Sequence, residues 1–474
     1  MSSARPSPPD CLPLRQQLGY ALGSAVDMWG HWLYPILAFP VFNIFLGVSP
    51  WLVSLALMFA RIFDAVCDPF FGWLSDNARS RFGRRRPFIL AGALAGGIGL
   101  PLLFRVSPAW SEGRIVAFML VSSFLYVPGM CCFNLPYQSL GSELTPSYHE
   151  RTRVMVYRNG IQQVMILGLC FGPQFVTLSW FADPRTGAPN LLRGAQWYTL
   201  GLGALMVAAG FAVAGLVRER YYPSVLARRQ ARLSLSDTLW NALRCPPFRR
   251  LLVITLGFAI GTSMTTTLSF YDTAYYVCRG DLAAAGRWNT LMGVAGSVLG
   301  LIGVVGFGRL ARRRGKRTTM ALALAAGAAA FSGTWWLYDP RAPWLQLGAA
   351  GLVSLSTAAF WTLLGSMNAD VVDADELLTG QRREGAFAAC SSWIMKCGLA
   401  LGAGGTGILL SWAGFDAKLG GGQSVHTLTL MRLMVAGVPL AGIVVSTFGL
   451  GGFSLSQSRM AAIRAQLELR RGLV

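Results

Sequence analysis

The chain has 474 residues, 53% of them hydrophobic and only 13% charged, with a mean hydropathy of +0.47. A soluble fold of this length needs far more polar surface, so composition excludes one and points to a membrane-embedded chain. The formal net charge of +20 comes from arginines in short loops between apolar segments, the pattern of the positive-inside rule, which argues against a nucleic-acid partner.

Residues 1–16 (MSSARPSPPDCLPLRQ) are polar and proline-rich, lack the apolar core of a signal peptide, and read as a disordered tail. Apolar segments follow near 17–46, 50–76, 87–106, 114–140, 155–181, 196–217, 251–277, 287–308, 318–338, 344–371, 385–412 and 428–452. These are twelve spans, each long enough for a transmembrane helix of about 20 residues. With the N-terminus in the cytoplasm, the basic stretches 79–86, 151–153, 218–250 and 309–317 and the tail arginines all fall on the inner side. Both termini therefore read as cytoplasmic, in a multi-pass protein of the inner (cytoplasmic) membrane. Trp110, Trp180, Trp335, Trp336, Trp344 and Trp412 fall near outer ends and read as an aromatic belt. The nine cysteines lack metal-ligand spacing and read as packing residues.

Span one carries Asp27 and His31, an i, i+4 pair; a carboxylate there is expensive unless it faces a wet cavity or a partner. A substrate-binding role and a buried structural pair are both open for His31. In the stretch 61–87, RIFDAVCDPFFGWLSDNARSRFGRRRP, Arg61, Asp64 and Asp68 are spaced i, i+3 and i+7 and share one helix face. Two carboxylates sharing a low-dielectric site cannot easily both stay ionised, so they can hold a proton between them. Beyond Gly72 the stretch becomes a basic loop with Asp76, Arg84 and Arg85, read as a gate. A second glycine-led basic turn at 306–317 joins spans eight and nine, which argues for two six-helix repeats.

Span four ends in Asn134, Pro136, Tyr137 and Gln138, a polar, proline-bearing segment that reads as cavity-lining. Glu143 and Arg153 lie in the loop that follows, and Arg158 enters span five. Residues 218–250 form a long basic linker in which Ser236, Leu239, Trp240 and Leu243 predict an interfacial helix closed by Pro246 and Pro247. In span seven, Tyr271, Asp272, Tyr275 and Tyr276 leave an outer gate and an interfacial anchor equally open. Span ten carries Trp361, Asp370 and Asp373, and Arg382 lies in the link to span eleven. Lys396 lies deep in span eleven, where a lysine must pair or give up its proton. Asp76, Glu143, Asp370 and Asp373 are the candidate latch partners of Arg84, Arg153 and Arg382.

The segments RIFDAVCDP, RSRFGRRRPFIL, LPYQSLGSELTPSYHERTRVMVYR and ADVVDADELLTGQRREGAF resemble the glycoside–pentoside–hexuronide:cation symporters, the melibiose-permease-like branch of the major facilitator superfamily, from Leu18 to Arg459. The resemblance implies an all-α membrane protein of twelve transmembrane helices in two six-helix pseudo-symmetric bundles. The expected parts are a tail (1–16), an N-terminal bundle (17–217), a linker (218–250), a C-terminal bundle (251–455) and a basic tail (456–474). It implies symport of a sugar or glycoside with H⁺ or Na⁺ held at Asp64 and Asp68, with Arg61 one turn before them. It also implies sugar-binding groups at Asp27, Asn134, Arg158, Trp361 and Lys396.

Three departures matter: Asn134 stands where the branch has an aspartate, Gln138 where it has a tryptophan, and Cys131 where it has a threonine of the sodium site. Soft sulfur is a poor partner for Na⁺, which tilts the coupling ion towards H⁺. The expected partners are a small-molecule substrate, a monovalent cation and the bilayer, with the protein acting as a monomer. There is no nucleophile–base constellation, phosphate loop or metal-ligand cluster that would make it an enzyme, and no cofactor is expected. Two other readings stay open: a lysolipid or amphiphile carrier of the same fold, and a non-transporting sensor.

Overall fold

The computed structural model describes residues 12–78, 82–83, 85–144, 148–182, 189–218, 243–380 and 384–470. It is all-helical there. α1 (Leu14–Leu22) and α2 (Ser24–Ala38) form the first span, which continues as a π segment, Phe39–Phe45. α3 (Pro50–Asn77), α4 (Arg86–Leu102), α5 (Glu112–Glu143), α6 (Tyr148–Val176) and α7 (Leu191–Leu216) complete the first six spans. α8 (Pro246–Tyr271) runs into a second π segment, Asp272–Val277. α9 (Leu282–Arg314), α10 (Lys316–Leu337), α11 (Leu345–Thr379), α12 (Glu384–Trp412) and α13 (Val425–Gly451) follow, and α14 (Gln457–Arg470) closes the described chain.

Among the described residues, nine helices are long and apolar enough to cross a membrane on those grounds alone. The other three spans have identifiable interruptions. The first is jointed at Gly23 and holds Pro35 and Pro40, whose missing N–H groups break the regular ladder. α4 is only 17 residues long. α6 carries Arg153, Arg158, Gln162 and Gln163, which lower its hydropathy. The whole is a multi-pass membrane protein.

The chain divides into two compact units, residues 1–48 with 63–230 and residues 49–62 with 231–474. Residues 49–62, expected in the N-terminal bundle, thus group with the second unit. There the Gly407 amide donates to Ser54 Oγ, and Met58 fills the space over Gly404. Within each unit small residues let helices approach closely, as membrane packing favours. In the first unit, a Cβ on Gly97 would lie 2.6 Å from Val207 of α7. In the second, a Cβ on Gly257 would lie 2.9 Å from the Gly442 carbonyl oxygen of α13, and Ser446 Oγ donates to the Ile254 carbonyl.

The tail beyond residue 455 is more than a basic extension: Met460, Ile463 and Leu467, one face of α14, are buried in the same core as Phe248, Met367 and Phe387. Pro246 and Pro247 open α8 at its first two positions, where a missing N–H leaves nothing unpaired. The interfacial helix predicted at Ser236, Leu239 and Trp240 lies outside the described residues.

Candidate functional site

Asp64 and Asp68 lie one turn apart on α3, and Asp64 is 3% exposed. Pro69, directly after them inside the helix, has no N–H to give to the Ala65 carbonyl. From α5, Cys131 donates its thiol hydrogen to Asp64 Oδ1 at 3.2 Å. Ligand atoms of Asp64, Asp68 and Cys131 all lie within 4.8 Å of one another. The i, i+4 spacing put the two carboxylates on one face; the fold adds the sulfur from a helix 67 positions away. Arg61 lies half-buried on the same helix, one turn before Asp64. The donor set of two carboxylates and one thiol suits a proton shared between oxygens better than Na⁺, which prefers hard oxygen ligands.

A second charged group is built between α2 and α6. Arg158 Nη2 pairs with Asp27 Oδ2 at 2.9 Å, with the side chains 20% and 10% exposed. The guanidinium also lies 5.6 Å from the ring centroid of Tyr137. Tyr137 stacks on Tyr20 at 4.7 Å and donates to the Tyr20 carbonyl at 2.9 Å. Its ring occupies the place where a Cβ on Gly23 would stand, so the glycine joint between α1 and α2 makes room for it. The i, i+4 pair of Asp27 and His31 meets through the main chain, His31 Nδ1 lying 3.1 Å from the Asp27 carbonyl oxygen. On α5, Gln138 Nε2 donates to Asn134 Oδ1 at 2.8 Å; Gln138 is exposed and Asn134 half-buried. Tyr137 and Tyr20 were not among the predicted site residues. Tyr137 stood inside the LPYQ stretch, which was the available signal.

The predicted residues of the second unit are placed separately. Trp361 is half-buried on α11, edge-on to Phe258 at 5.9 Å and Phe360 at 5.3 Å. Lys396 is half-buried in α12.

Of the gate residues, Asp370 is 5% exposed and pairs with Lys316 Nζ at 2.7 Å, which also donates to the Ser366 carbonyl at 3.0 Å. Lys316 was not one of the cations expected there. Arg85 is buried at the start of α4, Asp373 is half-buried and Arg153 is exposed. Arg84, Arg382 and the side chains of Asp76 and Glu143 lie outside the described residues.

Burial bears on the two readings left open for span seven. Tyr271, Asp272 and Tyr275 are 0%, 2% and 3% exposed, which does not fit an interfacial anchor. Trp335, read as a belt residue, also meets a cation: the Arg432 guanidinium lies 4.2 Å from its ring and 4.2 Å from that of Tyr276, and donates to the Trp335 carbonyl. Trp180, Trp336, Trp344 and Trp412 are broadly exposed, as a belt requires.

Two acidic residues in a long apolar helix, Asp64 buried and Asp68 half-buried, within an all-helical multi-pass chain, fit a transporter of the major facilitator fold. Solved structures of that fold superpose on nearly the whole chain. A D-xylose–proton symporter matches with a TM-score of 0.64 at 15% identity, covering 93% of this chain and 99% of that one. A nucleoside transporter matches with a TM-score of 0.65 at 12% identity, covering 93% of this chain and 100% of that one. The sequence profile of the MFS sugar transport protein family matches residues 22–457.

The chain belongs to that family and, within it, to the glycoside–pentoside–hexuronide:cation symporters. Among its relatives is a glucuronide carrier protein homolog of Escherichia coli (strain K12), 24% identical over 471 residues, 97% of this chain and 96% of that protein. Another is an isoprimeverose transporter of Lactiplantibacillus pentosus, 26% identical over 417 residues, 86% of this chain and 81% of that protein.

Proposed function

We propose that this chain is a cation-coupled symporter of a sugar or glycoside, working by alternating access in the cytoplasmic membrane with both termini on the cytoplasmic side. The observation that carries the reading is the convergence of Asp64, Asp68 and Cys131 inside the membrane-spanning helices. The relatives named a glucuronide carrier protein homolog and an isoprimeverose transporter, with the D-xylose–proton symporter of the same fold, support a sugar as cargo.

The coupling ion of this reading is H⁺. With the carboxylates of Asp64 and Asp68 close together, a proton shared between their oxygens removes one negative charge from a region where charge is expensive. The Cys131 thiol, as a donor to Asp64, stabilises the carboxylate that remains ionised. Arg61 supplies the counter-charge one turn away. Asp27, His31, Asn134, Gln138 and Arg158 line the sugar's polar side, Trp361 offers an apolar ring face, and Lys396 bonds hydroxyls or a uronate. Lys316 with Asp370 belongs to the inner latch, together with Asp76, Arg84, Arg85, Glu143, Arg153, Asp373 and Arg382.

The test is uptake into proteoliposomes of mono- and disaccharides, glycosides and hexuronides, each under a pH gradient and under a Na⁺ gradient. Accumulation of at least one sugar driven by the pH gradient is expected. Accumulation driven only by Na⁺ overturns the choice of ion. Uptake of a lysolipid with no uptake of any sugar overturns the substrate class.

A further inference from the structure

We propose that the basic end of α8 carries a binding site for the phosphodiester headgroup of an anionic membrane lipid, a site apart from the transport pathway and beyond the transport reading. A cavity of about 510 Å³ opens there, and Pro246, Pro247, Arg249, Arg250, Gly452 and Ser454 line it. Among the described residues, no acidic side chain lines it. Both arginines are exposed, and among the described residues neither guanidinium has a hydrogen-bond or ion-pair partner.

Among the described residues, Arg250 is held in place although its head is unpaired. A Cβ on Gly449 would lie 3.3 Å from the Arg250 carbonyl oxygen and 2.9 Å from Ile254, so α13 clamps the backbone beneath the arginines. At Gly452 a Cβ would stand 2.6 Å from Arg250 Nε and 2.7 Å from its Cζ, so only glycine lets the guanidinium lie against the chain there. The last carbonyl of α13, which would repel an anion, is already engaged: Arg317 Nη2 donates to the Gly451 oxygen at 3.0 Å. The N-terminus of α8 adds its own partial positive charge.

Guanidinium groups bind phosphate oxygens in bidentate fashion, and basic pockets at helix ends on the membrane boundary suit lipid headgroups. The lining also includes Val253, one turn further into the apolar helix and 38% exposed. An apolar wall leading from two arginines into the bilayer fits a headgroup with its acyl chain attached, rather than a free phosphate. Arg312, Arg313 and Arg314 are exposed at the end of α9 without lining this cavity, which makes them the internal control for charge alone.

The test is native mass spectrometry of the full-length protein in detergent, titrated with phosphatidylglycerol, phosphatidylcholine or inorganic phosphate. Saturable binding of phosphatidylglycerol is expected, weakened at least tenfold in the double variant Arg249→Gln, Arg250→Gln. Gly452→Ala, which displaces the Arg250 head without removing charge, is expected to weaken it several-fold. Arg312→Gln with Arg313→Gln is expected to leave it unchanged. Equal phosphatidylglycerol binding in the Arg249/Arg250 variant, equal loss in the Arg312/Arg313 control, equal binding of phosphatidylcholine, or competition by millimolar inorganic phosphate would each overturn the proposal.

Discussion

The two halves of this chain share a frame and differ in what they place inside it. In each, the first span ends in a π segment, Phe39–Phe45 in one and Asp272–Val277 in the other. In each, the turn before the third span holds a glycine at positive φ, Gly83 at 104° and Gly315 at 82°, a conformation that disfavours any residue with a Cβ. The first helix after that turn then sends an arginine to the end of the sixth span: Arg86 to the Ala214 carbonyl, Arg317 to the Gly451 carbonyl. The second span breaks the likeness. α3 holds Asp64 and Asp68, whereas α9 has no acidic residue from Leu282 to Arg314 and gives its glycines to packing, Gly296 against Ser354 and Gly303 against Leu355 of α11. One half has turned that helix into a site for charge; the other keeps it as a close-packed strut.

The largest expected effect comes from removing the difference. Asp64→Asn or Asp68→Asn makes α3 as uncharged at that position as α9. Accumulation against a gradient should fall at least 100-fold, while substrate-protected binding or counterflow exchange persists. Undiminished uphill uptake in both variants would show that the asymmetry between α3 and α9 does not carry coupling.

Next is the Asp27–Arg158 pair, which joins α2 to α6 in the first unit, whereas the pair Lys316–Asp370 of the second joins α10 to α11. Removing one partner of a largely buried pair typically costs about 3–5 kcal/mol. Asp27→Ala should therefore lower the thermal stability of the detergent-solubilised protein markedly. The double variant Asp27→Ala, Arg158→Ala should lose less than the sum of the single losses. Strict additivity would mean the 2.9 Å contact is not an energetic pair.

What the sequence showed and what it hid follow one physical line. Charge in an apolar helix is visible because it is improbable there, so Asp27, Asp64, Asp68 and Lys396 were legible from spacing alone. Cys131 became significant only through resemblance, since a cysteine in a span is otherwise a small packing residue. Tyr20 and Tyr137 were hidden because buried aromatics are common, and their stack joins positions 117 apart. The Arg86 and Arg317 caps were hidden for another reason: their acceptors are main-chain carbonyls, which every residue has. The burial of α14 was readable after all, for Met460, Ile463 and Leu467 fall at i, i+3 and i+7, but the arginines around them drew the reading towards a loose tail.

A smaller effect tests the chemistry of the α3 site. Cys131→Thr replaces a soft sulfur with a hard oxygen at 3.2 Å from Asp64. Uptake driven by a pH gradient should change only a few-fold, and a stimulation by Na⁺ absent from the parent should appear. An unchanged ion profile would detach Cys131 from the coupling site.

The smallest effect bears on the shared frame itself. Capping a helix C-terminus with an arginine satisfies an orphan carbonyl and favours the dipole there, and a hydrogen bond from a charged group contributes about 1.5–3 kcal/mol. Arg86 reaches the Ala214 oxygen with both Nε, at 2.7 Å, and Nη2, whereas Arg317 reaches the Gly451 oxygen with Nη2 alone at 3.0 Å. Arg317 is also the more exposed of the two, so water can take over more of its role. Arg86→Gln should therefore lower the melting temperature more than Arg317→Gln, with both effects adding in the double variant because each cap closes a different half. Equal losses would mean that the two turns are alike in energy as well as in shape, and that the asymmetry of this protein is confined to its spans.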